Sequence, residues 1–550
     1  MQGENSVRTK RSTAWRGAIA AAVTVGLITS SASAATKKTT KTTKKAAATT
    51  SAPASTVAVN PADAGLDLNA TLRVTIDGSP EKLDPHAEPT QGSTPYWTPI
   101  YDTLTDVTVI GQLKPRIATK WAFSADGLSL VLDIRSGVKF HDGTAVDAAV
   151  VAANLNRART GSTSSAGVKG TLAAVTGASA TGPMQVTLAL SRYDASLPSV
   201  LGTAAGAIIN LKQVDAGFNF TTGSAGTGAY VVEQFVPLVS VSYKRATDAN
   251  WDPAAGKLAG MKIDYLTDFK VALNGLQSGQ YDMVRVNGLG AQVDSVVKSG
   301  GFQAVDVNPN QTLSLWLNNQ DPVFKDVRVR QAFAYAIDRD AIAKAVFDNG
   351  TECKAASQMY PFPGDALYVE GYDPYHYDPA KARLLLAQAK AEFSKITIID
   401  IGSTSSINLA QAVQPMLQSA GFDVTLQRGT GAVVAVAFQR GEVQVAVIPN
   451  AQQAHGTITL SRYWLTAGPY HLAKGEDGSI LSSLATLNNP TLSDDKVAQT
   501  YQDIAKQLAG FSTLVPACAI RWTFVAKKNI INVDPRTVLT NMRVVAVKKS

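Results

Sequence analysis

The residues of this 550-residue chain best suited to reactive chemistry are five histidines, two cysteines and a scatter of carboxylates. His86, His141, His376, His455 and His471 show none of the short spacings of a zinc site, so each reads as a hydrogen-bonding residue rather than a metal ligand. No Gly-x-Ser-x-Gly elbow, His-Glu-x-x-His helix or Gly-x-x-x-x-Gly-Lys phosphate loop occurs. Gly226-Thr227-Gly228 begins like a dinucleotide fingerprint, but Val231 stands where the third glycine belongs, which leaves a turn. Asp494-Asp495 suits the first turn of a helix, where negative charge complements the helix dipole. The chemistry to expect is therefore recognition, with no catalysis, metal or cofactor; an exported hydrolase is the weakest reading.

Charge excludes another class. Nine of the 51 basic residues but only one of the 43 acidic ones, Glu4, precede residue 57, so the remainder is balanced at 42 against 42. The overall charge of +8 describes an N-terminal segment, and no nucleic-acid partner is expected. That segment has the layout of a cleavable export signal over residues 1–34: Arg8, Lys10, Arg11 and Arg16, an apolar stretch from Ala18 to Ile28, and Ala32-Ser33-Ala34. The apolar stretch is about half the length that spans a bilayer. No Cys adjoins the cleavage point, so no lipid anchor is expected there. Residues 35–68 are rich in Ala, Thr, Ser and Lys and read as a disordered linker, either a plain spacer or a basic arm on an anionic envelope surface. In an exported chain Cys353 and Cys518 are free to form a disulfide or to remain two buried thiols; their positions in sequence leave both open.

The elements that must position any site follow from periodicity. Leu72 to Ile76 alternates as a strand and ends in the turn cluster Asp77-Gly78-Ser79-Pro80. Trp121 and Phe123, Asp126-Gly127, then Leu128, Leu130, Leu132 and Ile134 describe a hairpin. Thr144 to Asp147 fits a capping box that opens a helix through Val150, Val151, Asn154 and Leu155. Further strands are expected at 185–190, 230–235, 239–243 and 261–266. Asp326, Asp338 and Asp378-Pro379 are helix starts, and Val329, Phe333, Ala336 and Ile337 share one apolar face. Strand, helix and strand then alternate over 396–401, 408–420 and 424–426, and the whole reads as two α/β bodies joined near residue 320.

Several segments, in order, resemble the extracytoplasmic solute-binding proteins of the oligopeptide, dipeptide and nickel class (family 5) that serve ABC transporters. They are Leu83-Asp84-Pro85, Tyr101-Asp102-Thr103-Leu104, Pro115 to Trp121, the run from Arg135 to Thr144 (Arg-Ser-Gly-Val-Lys-Phe-His-Asp-Gly-Thr), Gly226 to Tyr230, Asn250-Trp251, Leu276 to Gly279 with Asp282, and Val327 to Arg339. The likeness covers roughly residues 70–530. It implies an α/β fold of the two-lobed, periplasmic-binding-protein-like clamshell kind, class II type with an enlarged lobe 1. Lobe 1 would comprise 69–319, lobe 2 320–521, and 522–550 would return to lobe 1. The run from Arg135 to Thr144 suits fold maintenance: Phe140 packs, Asp142-Gly143 turns the chain and Thr144 caps.

One departure bears on ligand chemistry. In peptide-binding members the strand at Val445-Ala446-Val447-Ile448 leads into a stretch whose aspartate holds a peptide's amino terminus; here Pro449 to His455 carries no carboxylate. Amide and imidazole groups suit a neutral polar or mixed ligand. Expected ligand contacts are Ser79, Leu83, Trp97 and Tyr101 from lobe 1, Asn318 near the junction, and Asn450, Gln452, Gln453, His455, Tyr463 and Trp464 from lobe 2, with lobe core as the equal alternative for Trp97, Tyr101, Tyr463 and Trp464. The expected partners are a small-molecule or peptide ligand and the permease subunits of an ABC transporter, with the receptor a monomer in the periplasm, cell envelope or extracellular space. A secreted interaction protein on the same fold is the alternative.

Overall fold

In strand Thr71–Ile76 the side chains of Leu72, Val74 and Ile76 alternate onto one face and are buried, and Thr75 on the opposite face is buried as well. The computed structural model describes residues 63–549 except 89, 91, 109–111, 221–224, 247–249, 308–310, 452, 454, 467–469, 471 and 534–540. The expected export signal, most of the linker and Gln452 lie outside the described residues. Thr71–Ile76 pairs in parallel with Gly260–Tyr265 and with Met283–Asn287 inside a seven-stranded sheet. The spatial order is Phe302–Val307, Trp522–Lys527, Met283–Asn287, Thr71–Ile76, Gly260–Tyr265, Ser240–Arg245 and Tyr230–Val236.

A second, six-stranded sheet runs Cys353–Ala355, Leu514–Ile520, Gln311–Leu317, Val445–Ala451, Lys395–Asp400 and Asp423–Arg428. Each sheet has its own apolar clusters. Among the described residues the chain passes between the sheets twice, once between Val307 and Gln311 and once at Arg521. The junction expected after residue 319 therefore falls earlier, between Val307 and Gln311, because Gln311–Leu317 pairs with Val445–Ala451 and Leu514–Ile520. Trp522 packs against cores on both sides.

A four-stranded antiparallel sheet (Ala118–Phe123, Ser129–Ile134, Gln185–Leu190, Val175–Gly182) carries helix Ala148–Thr160 and adds to the first body. That helix starts later than the Thr144 capping box implied. Asp147 is its cap, accepting from Val150 N at 2.8 Å, while Thr144 stays in the preceding turn and donates its N–H to Asp142. Asp326, Asp338 and Asp378 each accept a backbone N–H at the start of their helices. A disulfide joins Cys353 to Cys518, tying the edge strand Cys353–Ala355 to its neighbour Leu514–Ile520.

Candidate functional site

Four of the segments that carry the family resemblance, those holding Asp102, Arg116, Thr227 and Asn250-Trp251, converge on one buried carboxylate. Asp102 accepts from Arg116, from Thr227 Oγ1 at 2.8 Å and from Trp251 Nε1 at 2.7 Å, while Asn250 Nδ2 donates to Thr227 O. The run from Arg135 to Thr144 behaves alike. Phe140 is buried, Gly143 turns at φ +83°, and Asp142 accepts from Asn210 Nδ2, Gln213 Nε2 and Thr144 N. These contacts all lie inside the first body and hold its loops together; they leave the recognition surface to other residues.

That surface is marked by the carboxyl ends of the parallel strands, where open α/β sheets take their ligands. Strand Thr71–Ile76 ends in Asp77-Gly78-Ser79. Gly78 approaches Gly92 so closely that a Cβ on it would lie 2.3 Å from Gly92 O, and Tyr96 Oη donates to Gly78 O at 2.6 Å. Ser79, the sequence candidate here, is partly exposed. Beside it Arg285, on Met283–Asn287, donates through Nη1 to Asp77 Oδ1 at 2.7 Å, and its guanidinium lies 3.9 Å from the centre of the Trp522 ring. Burial pushes the Arg285 pKa below its ordinary value, and the Asp77 charge opposes that. Phe269 meets Trp522 edge to face, and Trp522 Nε1 donates to Gln311 Oε1 at 3.3 Å. Gln311 is paired with Ala451, so the carboxyl end of Val445–Ala451 arrives at the same crossing. Asp77, Arg285, Trp522 and Gln311 therefore form a continuous polar and aromatic floor running from one body to the other.

The lobe-2 candidates divide. Asn450 is fully buried and donates to Thr312 Oγ1 at 2.7 Å, while its Oδ1 has no partner among the described residues. Gln453 is partly exposed; its N–H goes to Thr459 and its side chain to Ala451 O. His455 caps helix Gly456–Tyr463 through Nδ1, and desolvation lowers its pKa to about 4. One turn on, Ile458 packs against the core of the first body, so the two bodies also touch away from the crossings. Near this helix, Asp365 has one buried carboxylate oxygen with no partner among the described residues, and burial raises its pKa to about 7.

Packing puts Leu83 in a core and takes the lobe-core alternative for the aromatic candidates. Leu83, Trp97 and Tyr101 are buried in the first body's core, and Tyr463 and Trp464 in the second body's. Tyr463 Oη is spent on the backbone of Ala451, and its ring packs against Trp316 and Tyr470. Asn318 lies beyond Leu317, which pairs with Val445, whereas Asn450 pairs with Thr312. At about 3.4 Å per residue this separates the two asparagines by about 20 Å. Asn318 instead donates to the carbonyls of Val443 and Gly441. Sequence reasoning missed Asp77, Arg285, Gln311 and Trp522; the one available signal was that Asp77 and Trp522 flank strand ends.

The arrangement has close relatives in architecture. The family model for bacterial extracellular solute-binding proteins, family 5, matches residues 112–470, and the chain belongs to that family. It is 27% identical over 343 residues to the glutathione-binding protein GsiB of Salmonella paratyphi A, covering 61% of this chain and 64% of the relative, so it spans less than two thirds of that relative's length. Among solved structures, the substrate-binding protein CtaP of Listeria monocytogenes matches with a TM-score of 0.76 at 18% identity, over 88% of this chain and 100% of that one. DppA of Helicobacter pylori, in complex with the peptide STSA, matches with a TM-score of 0.73 at 20% identity, over 88% and 99%. The fold is thus the two-lobed clamshell of periplasmic binding proteins. Its relatives are binding proteins of transport systems, and among the described residues no helix is long and apolar enough to cross a membrane.

Proposed function

We propose that this chain is the extracytoplasmic receptor of an ABC transporter, capturing a small peptide-like or other polar solute between its lobes and presenting the closed form to the permease. The observation that carries the reading is the floor from Asp77 through Arg285 and Trp522 to Gln311, which places groups of both lobes around two chain crossings. Two crossings make a hinge, and a solute touching both lobes favours the shut state by its contacts there. Ser79, Gln453 and His455 flank this floor as ligand contacts, and the buried aromatics stiffen the walls. The receptor works as a monomer without cofactor or catalysis, in the periplasm, cell envelope or extracellular space. The names of a relative, a glutathione-binding protein, and of a structural neighbour in complex with the peptide STSA support a peptide-like solute.

Thermal unfolding with pooled peptides, sugars and metal chelates tests this. A solute at a hundred times its dissociation constant adds about 2.7 kcal/mol to stability. A pool member that raises the melting temperature in proportion to its concentration supports the receptor; melting unchanged by every pool removes it.

A further inference from the structure

The hydrogen-bonding capacity of the cleft floor is unbalanced. A guanidinium has five N–H donors, and Arg285 uses one within the protein, from Nη1 to Asp77 Oδ1. Among the described residues its Nε is buried without an acceptor and Nη2 makes no hydrogen bond. The side chain is only 13% exposed, and its plane is fixed from one side by Trp522 and from one end by Asp77. A guanidinium so placed has lost much of its hydration, which lowers its pKa, and it has regained a single hydrogen bond in return. The missing partners are acceptors, and a planar group with two acceptor oxygens matches the fork geometry.

We propose that Arg285 is the anchor for a carboxylate of the captured solute, oriented by Asp77 and the Trp522 ring. This rests on the receptor reading above and adds the ligand's chemical class: an anionic or zwitterionic molecule with a free carboxylate. Two features make the position apt for recognition coupled to closure. Arg285 belongs to the first body, on strand Met283–Asn287, while the ring it covers is the first residue after the second crossing and is tied by Nε1 to Gln311 of the other body. A carboxylate docked on the guanidinium therefore sits beside the hinge, within reach of the carboxyl end of Val445–Ala451. Asp77 neutralises the guanidinium and leaves it room for a second acceptor.

The test uses the full-length exported protein and two matched probes, a pool of tri- to pentapeptides as free acids and the same pool with C-terminal amides, together with sugar and chelate pools, in thermal unfolding followed by titration calorimetry of the responding members. The expected result is stabilisation by free acids and none by amides. Arg285→Lys, which keeps the charge and loses the fork, should bind at least about thirtyfold more weakly. Its melting temperature without solute reports whether it folds; should it fail to fold, the acid against amide comparison on wild-type protein decides. Amides that bind as tightly as acids, binding only of solutes that lack a carboxylate, or an Arg285→Lys variant of undiminished affinity each overturn the carboxylate anchor and leave the receptor reading intact. No response to any pool overturns the receptor reading and the anchor with it.

Discussion

Replacing both Cys353 and Cys518 by alanine should cost this protein about 3–5 kcal/mol of stability, and the size of the loss follows from chain statistics. The two residues are 165 positions apart. Closing a loop of that length removes about 17 cal/mol/K of entropy from the unfolded chain, about 5 kcal/mol at 25 °C. The bridge lies within the second body, both thiols are buried, and the strand it holds, Leu514–Ile520, leads directly into the crossing at Arg521. Alanine is the right replacement, since serine would bury two hydroxyls and add a cost of its own. Urea unfolding followed through tryptophan fluorescence reads the difference; the m-value should rise as the unfolded chain of the variant expands. A loss below 1 kcal/mol would refute the loop-closure reasoning and mean that the bridge is redundant with the core around it.

Three further outcomes are expected. Asp365 has a folded-state pKa of about 7, above the ordinary carboxylate value, so the folded chain holds a proton that the unfolded chain releases between about pH 4 and 7, and stability falls across that window as pH rises. Asp365→Asn should therefore unfold at higher urea than wild type at pH 8, with the gap closing by pH 4; a gap independent of pH would contradict this. Asn318→Ala should lose about 1–2 kcal/mol, because the amide holds the carbonyls of Gly441 and Val443, yet leave solute affinity unchanged in calorimetry, because it lies at the far end of its strand. Gly78→Ala should destabilise by about 1–3 kcal/mol, since its Cβ would run into Gly92 O, and thermal unfolding without solute measures it.

What was legible in the sequence was whatever local physics decides. The aspartate caps at 326, 338 and 378 start their helices as read, and the alternation from 185 to 190 gives the strand Gln185–Leu190. The capping box at Thr144 failed because Asp142 and Asp147 both compete for backbone N–H groups there, and the turn kept Thr144. Sheet membership was not legible. Phe302–Val307 and Gln311–Leu317 are adjacent in sequence and alike in character, and only pairing with Trp522–Lys527 on one side and Val445–Ala451 on the other sends them to different bodies. The site suffered most from this. Aromatic residues such as Tyr101 and Trp464 look the same in a sequence whether they line a cleft or fill a core, and here they fill cores. Arg285 and Trp522 are 237 positions apart by residue number, and their stacking depends on both strands joining one sheet through Met283–Asn287 against Trp522–Lys527.

The central claim is that a solute occupies the space between the lobes. The most direct measurement is mass spectrometry of the exported, purified protein, first under native and then under denaturing conditions. The account expects a native mass above that of the bare chain and, on denaturation, one released small molecule per chain bearing a free carboxylate. A bare native mass that stays bare after incubation with peptide, sugar and chelate pools would contradict it.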